Sequence, residues 1–278
     1  MMKYILFTGA TGGLGEVCVK ALTRTGRYTV FAAGTNKTKL QEYKTLDNVV
    51  PLQMDITDDT SVLTAQQTVA GHTDRLDAIV NFAGRSAFAS MVEGSCVELT
   101  QRLLDVNVMG MVRVNRVFFE MLHIGRGRII NCSSEADWMT AQPFAAPYFL
   151  SKRAVESYSD SLRRELMFLG IPVIKIQPGS FQTSMTQNTL AGFAQTLSET
   201  KYYKSVLSRL KPLMMQELKH DNDANKLAKA VLRALEAKHP KIKYRVGTGK
   251  MLAMLELLPE KGVDLVYKWL LRLLPDRK

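Results

Sequence analysis

A chain of 278 residues, 46% hydrophobic and 23% charged, has the composition of a folded soluble protein with a sizeable core, built as one large α/β domain or two smaller ones. Its three cysteines (Cys18, Cys96, Cys132) are scattered and odd in number, and its four histidines lack HExxH spacing, which excludes a disulfide framework and metal catalysis of that type. The formal charge of +11 suggests nucleic acid, an anionic membrane or a phosphate-bearing ligand, and it is uneven: Lys238 to Lys278 hold ten Lys/Arg against four Asp/Glu, a surplus of six.

The first apolar run is too short for the h-region of a signal peptide, and no run of about 18 apolar residues occurs anywhere. The expectation is a cytoplasmic protein without a spanning helix.

Lys3 to Thr8 (KYILFT) reads as a strand, followed at once by Gly9, Gly12, Gly13 and Gly15 and then by a helical pattern through Val17, Ala21 and Leu22. Glycines between a strand and a helix let the backbone approach a pyrophosphate, and the helix N-terminus adds free N–H groups and partial positive charge. Alone such a cluster is often only a turn; at the start of a βαβ unit it points to dinucleotide binding. Tyr28 to Ala33 is a second strand, ending at Gly34, Thr35, Asn36 and Lys37. An acidic residue here would hold the 2′-hydroxyl of an NAD ribose; none is present, and Lys37 and Lys39 lie close by, so the chemistry leans modestly to NADP(H) over NAD(H). The bland alternative is a solvated helix start.

Val49 to Met54 gives a third strand, with Asp55 and Ile56 after it and a helix from about Asp58 to Ala70; Leu76 to Val80 gives a fourth, closed by Asn81, Phe82, Ala83 and Gly84. One long helix is expected from Val97 to Leu122, carrying Asn107, a mild helix-breaker that is either exposed or used. Arg128 to Cys132 is a fifth strand, leading to Ser133 and Ser134. Pro147 to Ser157 opens a helix that runs to about Leu169, with Tyr148 and Lys152 four residues apart and therefore on one face. An ammonium held beside a phenol favours the phenolate and makes it a usable acid or base near neutrality. An ordinary exposed Tyr and Lys is the competing reading of that pair. Pro172 to Ile176 is a sixth strand, ended by Gln177, Pro178 and Gly179.

The alternation predicts an α/β fold with a doubly wound parallel sheet, a Rossmann fold, as a single domain over residues 1–278. Ligands in such sheets sit beyond the carboxyl ends of the strands, where Gly9, Asn81, Ser134 and Gly179 all fall. Residues 180–220, with Phe181, Met185, Phe193, Tyr202, Tyr203, Met214 and Met215, read as a substrate lid or as a pair of helices burying a side core. A helix over Asp221 to Lys238 and a strand over Lys241 to Val246 follow. Residues 249–275 read as amphipathic helices, with Leu265, Val266, Trp269, Leu270, Leu273 and Leu274 on one face opposed by Lys268 and Arg272, a pattern that packs on its own domain or lies on an anionic membrane.

These motifs together resemble the short-chain dehydrogenase/reductase superfamily over nearly the whole chain. Thr8 to Gly15 matches TGxxxGxG, and Asn81 to Gly84 matches NNAG except for Phe82. Asn107, Ser134, Tyr148 and Lys152 match its Asn-Ser-Tyr-Lys tetrad, and Pro178, Gly179 and Thr183 match the segment that meets the nicotinamide. The resemblance implies Tyr148 as the acid/base at the substrate oxygen, Lys152 favouring the phenolate and bonding the nicotinamide ribose, Ser134 holding the carbonyl or alcohol, and Asn107 anchoring a water in a proton relay. It implies cofactor contacts from Gly9, Thr11, Gly13, Leu14, Gly15, Thr35, Lys37, Asp55, Ile56, Asn81, Ala83 and Gly84 as well as from Tyr148, Lys152, Pro178, Gly179 and Thr183, and no metal. Ser134 to Tyr148 spans fourteen positions, one more than is usual in the family, and a one-residue insertion accounts for it, with Ser133 as the weaker candidate.

The expected activity is NAD(P)-dependent interconversion of an alcohol and a ketone or aldehyde, on an apolar substrate, similar to the retinol and hydroxysteroid dehydrogenases. The alternative is a dinucleotide-sensing regulator or scaffold of the same fold that does no chemistry. Expected partners are the small-molecule substrate and further copies of the chain in a dimer or tetramer built through the two long helices, with peripheral membrane contact through the tail. Nucleic acid is not expected, because cofactor phosphates and a solvated face account for the charge.

Overall fold

The computed structural model describes residues 2–217 and 222–273. Seven strands form one parallel sheet: β1 (Lys3–Thr8), β2 (Tyr28–Gly34), β3 (Val49–Gln53), β4 (Ala78–Asn81), β5 (Arg128–Cys132), β6 (Val173–Pro178) and β7 (Lys243–Val246), in the order β3-β2-β1-β4-β5-β6-β7. The central strands read as continuous apolar runs because both faces of a parallel sheet are covered. Alternation still sorts their side chains. Ile5 and Phe7 face one cluster with Val19 and Leu22 of α1 (Gly13–Thr23) and Leu227 and Val231 of α10 (Ala224–Glu236). Leu6, between them, faces the other cluster, with Val62 of α3 (Asp59–Ala70), Val114 of α5 (Gly110–Val117), Phe118, and Leu166 of α7 (Ala146–Leu166).

The chain leaves β1 toward one edge and returns through β4 to the other, so the strand order reverses between these two neighbours, and a crevice opens beyond their carboxyl ends. Gly9 follows β1, Gly84 follows β4, Ser134 follows β5 and Gly179 follows β6.

Several expectations change in detail, with β6 running on to Pro178 and β7 starting two residues late at Lys243. Strand β4 starts two residues late: the Leu76 amide turns away from the sheet to the Met121 carbonyl at 2.8 Å, and only from Asp77, whose amide donates to the Tyr4 carbonyl of β1 at 2.8 Å, does the chain meet its neighbour. The single long helix is instead α4 (Cys96–Leu104), a π-helical turn (Asp105–Met109), α5, and α6 (Phe119–Ile124). A short helix, α2 (Lys37–Tyr43), stands where the sequence reads only as a helix start; the Asn36 side chain caps it by accepting from the Lys39 amide.

Residues 180–220 hold α8 (Ser184–Glu199) and α9 (Lys204–Glu217), a pair of helices around a small cluster of Phe88, Phe193 and Leu207. The last residues of that segment, 218–220, lie outside the described residues, as does Leu274. The tail forms α11 (Lys250–Leu255) and α12 (Glu260–Leu273), interrupted at Pro259 as expected. Among the described residues no helix is long and apolar enough to cross a membrane.

Candidate active site

At the glycine end, the geometry follows from the lack of side chains. Gly9 has φ +68°, and a Cβ on it would lie 2.5 Å from the Ala83 amide nitrogen. A Cβ on Gly15 would lie 2.1 Å from the Gly9 carbonyl oxygen, so α1 can approach the turn this closely only with glycine there. Gly12 precedes α1 without any side-chain cap, leaving the N–H groups of its first turn open to an anion. Thr11 packs its hydroxyl over Gly34, whose Cβ would be 2.4 Å from Thr11 Oγ1. This cradle, which side chains would fill, suits a dinucleotide pyrophosphate.

The outer rim carries Thr35 and Lys37, both exposed. Lys39 is not equivalent to Lys37, because its ammonium bonds Glu16 Oε2 at 2.6 Å. Glu16 also takes Lys20 at 2.6 Å, and the two lysines hold the Glu16 carboxylate below its ordinary range, Lys20 contributing most. Asp55 points both carboxylate bonds through one oxygen, accepting from the Thr57 amide and hydroxyl, which lowers its titration range. Ile56 is buried, and its Cδ1 fills the space where a Gly110 side chain would stand.

Beyond β4 the polar groups turn inward. Asn81 is buried, its amide nitrogen donating to Asn115 Oδ1 at 2.8 Å and Asn131 Oδ1 at 3.0 Å. The Thr8 hydroxyl accepts from the amides of Phe82 and Ala83. Phe82, the departure from the family's second asparagine, packs on Phe7 with centroids 5.1 Å apart. Its ring therefore joins the sheet core.

Asn107 is only 1% exposed and explains the π-helical turn. Its Oδ1 accepts from the Arg85 amide at 2.7 Å, while its Nδ2 donates to the Arg85 carbonyl and to Ser151 Oγ at 2.9 Å each. One side chain thus clamps the loop following Gly84 to α7, and the helix carrying it bulges to let the amide reach both partners.

Lys152, one turn beyond Tyr148 on α7, is buried. Its ammonium donates to the Cys132 carbonyl at the end of β5 at 3.1 Å and lies 5.8 Å from the centre of the Tyr148 ring. A Cβ on Gly84 would be 3.7 Å from that ammonium and 3.3 Å from Asn107 Oδ1. Lys152, Asn107, Tyr148 and Gly84 therefore converge at one place, beyond β4 and β5. Ser134 opens a 3-10 turn (Glu135–Asp137) and its Oγ accepts from the Ala136 amide at 3.2 Å. Ser133 Oγ is buried without a hydrogen-bond partner. Pro178 closes β6, Gly179 bonds Val246 through its amide, and Thr183 caps α8 while its methyl lies 3.3 Å from where a Gly13 Cβ would be. The segment after β6 thereby touches the glycine turn.

Sequence reasoning misses three participants. Glu16 sequesters Lys39; Ser151 completes the Asn107 clamp; and Glu135 accepts from the Gly249 amide at 3.0 Å, tying the serine turn to the C-terminal segment. Only the i, i+4 spacing of Glu16 and Lys20 was available as a signal. A fourth feature is Phe144, in the loop between Ser134 and Tyr148, with φ +63°. Its ring lies between Phe88 (5.6 Å, stacked) and Tyr203 (5.2 Å, edge-on).

Residues 3–192 match the family described as short chain dehydrogenase. Mouse "Retinol dehydrogenase 16" is 33% identical over 96% of this chain and 88% of its own length. Human "17-beta-hydroxysteroid dehydrogenase type 6" is 30% identical over 88% and 80%. A solved short-chain dehydrogenase from Burkholderia cenocepacia, in complex with NADP, superimposes with a TM-score of 0.71 at 24% identity, covering 99% of this chain and 98% of that one, a likeness of fold. The chain belongs to the short-chain dehydrogenase family and is an NAD(P)-dependent oxidoreductase acting on CH–OH groups.

Proposed function

We propose that the enzyme interconverts an apolar secondary or primary alcohol and its carbonyl, with Tyr148, Lys152, Ser134 and Asn107 as the reacting group and its supports. The observation that carries this reading is the convergence of Lys152 on Tyr148, Gly84 and Asn107 beyond the sheet. The bound nicotinamide supplies the hydride chemistry. Tyr148 gives or takes the proton at the substrate oxygen, the Lys152 ammonium stands beside its ring, and Ser134 donates to the substrate oxygen. Asn107, fixed by the Arg85 backbone and Ser151, keeps the helix open at this point and anchors the relay of protons away from Tyr148. Gly9, Thr11, Gly13, Leu14 and Gly15 would hold the pyrophosphate, Asp55 and Ile56 the adenine end, and Asn81, Ala83, Gly84, Pro178, Gly179 and Thr183 the nicotinamide end.

NADP(H) is favoured over NAD(H) because Lys37 stands exposed at the rim with no acidic residue beside it. Substrate apolarity is supported by the aromatic group of Phe88, Phe144, Phe193 and Tyr203, beneath the lid of α8 and α9. The retinol and hydroxysteroid dehydrogenases among the relatives make retinoid-like and steroid-like alcohols the first compounds to assay. A cytoplasmic homo-oligomer is inferred, with Val97, Met109 and Leu150 exposed on the helices around Asn107 and Tyr148. Leu257, Leu265 and Trp269 are exposed on the tail near Lys261 and Lys268, which supports contact with an anionic membrane surface.

Tyr148→Phe tests the central assignment. Turnover should fall about 10³-fold, within the range of a lost general acid/base, while the cofactor still binds. Retained turnover would sink the assignment; absent turnover of any carbonyl by the native protein, with tight cofactor binding, would favour the non-catalytic regulator.

A further inference from the structure

Behind the serine turn lies a buried polar group that the reaction as described does not use. Gln177, the second-last residue of β6, is fully buried and donates its one amide nitrogen to two carboxylates, Asp137 Oδ2 and Glu156 Oε1, at 2.9 Å each. Asp137 lies on the 3-10 turn that starts at Ser134, and Glu156 lies one helical turn beyond Lys152 on α7.

The cations of the group are committed away from Asp137. Lys175 spends its ammonium on Glu156 Oε2 at 2.6 Å and Asp160 Oδ1 at 2.8 Å. Arg245 of β7 bonds Gln177 Oε1 at 3.2 Å and stacks 4.2 Å over the Trp138 ring. Arg153 of α7 donates to the Met139 carbonyl, and Glu135 on the turn itself is taken by Gly249. Asp160 is also paired with Arg163 Nε at 3.9 Å, so of the three carboxylates (Asp137, Glu156, Asp160) Asp137 alone makes no ion pair among the described residues. Asp137 Oδ1 is buried without a hydrogen-bond partner.

Resting on the oxidoreductase reading above, we propose that Asp137 and Glu156 share one proton and that this proton holds the turn carrying Ser134 against α7, making Asp137 a positioning residue for the reaction. The proton relieves the repulsion between two carboxylates facing one buried amide and gives the unpartnered oxygen a role. Burial first, and then the Glu156 carboxylate, push the Asp137 carboxyl up to about 7. The link to the serine is direct. The Asp137 amide donates to the Ser134 carbonyl at 3.3 Å, and the Ala136 amide donates to Ser134 Oγ at 3.2 Å, so a shift of Asp137 is a shift of the hydroxyl. When the proton leaves, two like charges face one amide and the turn is driven off the helix.

The sign follows. Protonation of the folded state is favoured, so the stabilisation is present in acid and is lost as pH rises from the ordinary Asp range through about 7. Turnover, measured as kcat on the enzyme saturated with cofactor and substrate, should fall about tenfold between about pH 6 and pH 8.5 through this group. Asp137→Asn keeps the acceptor for Gln177 and donates to Glu156 permanently, so its profile should lose that fall. Asp137→Ala should lower kcat across the range with little change in cofactor affinity. A second measurement needs no turnover: the melting temperature of the native protein should decline from about pH 4 to about pH 7 and level off above it, and that of Asp137→Asn should lack this decline. If Asp137→Asn is poorly folded, Glu156→Gln tests the same proton from the other side. Superimposable kcat profiles and superimposable melting profiles for native protein and Asp137→Asn would overturn the proposal. Superimposable turnover profiles with the melting difference intact would instead count against the catalytic reading of Ser134.

Discussion

The two ends of the crevice are made of different material. The glycine end is shaped by absence: at Gly9 and Gly15 a single methyl group would collide with backbone. The serine and tyrosine end is shaped by bonds between side chains and carbonyls, with Asn107 satisfied three ways and Lys152 bonded to the end of β5. A site specified by exclusion fails as a whole when one atom is added. One specified by bonds fails by degrees, according to which partner is left unsatisfied.

The largest effect should therefore come from the glycine end. In Gly15→Val the clash is with backbone, which cannot rotate aside, so cofactor affinity measured by titration should drop more than about 100-fold or the protein should fail to fold, overpacking of this kind costing about 3 kcal/mol or more. Native-like binding would show that the turn yields, and the contrast would go. Asn107→Ala should follow. It orphans the Arg85 amide and carbonyl and should cost about 2–3 kcal/mol of stability by denaturant titration, with kcat reduced about 100-fold. Asn107→Asp retains the acceptor and loses the donor, and a result midway between native and alanine would sharpen the graded picture.

Phe144→Ala should act more modestly. The residue gives up its ring contacts, and alanine keeps the Cβ that makes a positive φ cost about 1–2 kcal/mol, so the backbone strain is not relieved. Stability should fall by about 1 kcal/mol, and KM for an apolar alcohol should rise about tenfold through lost ring contact. An unchanged KM would remove Phe144 from the substrate wall. The smallest effects belong to the rim. Lys37→Ala should reduce the NADP over NAD affinity ratio about fivefold, and Glu16→Gln, which frees Lys39, should raise it about threefold. A ratio that does not move in Lys37→Ala would break the NADP assignment.

The same contrast sets how much the sequence discloses. Strands β1 and β5 are read to the residue, because buried apolar runs bounded by glycine or polar residues leave little choice. The cradle is read from its glycines for the same reason: only one residue type fits. Asn107 is legible as anomalous and not as a clamp, since its partner Arg85 offers backbone alone, which any residue at that position would present. The break in the long helix follows from that invisible partner. Asp137, Glu156, and the pair Gln177 and Lys175 stand on three separate stretches of chain, and nothing local announces that a turn, a helix and a strand will bring them together.

One feature at the far end of the chain ties these regions to the tail. The carboxylate of Glu135, next to Ser134, is held by the Gly249 amide, and Glu256, just past α11, accepts from the amide and hydroxyl of Thr140 at the other end of the same loop. The C-terminal helices are thus a strap buckled at two points across the segment that presents the serine. A displacement of that strap would reach the Ser134 hydroxyl without passing through the sheet at all.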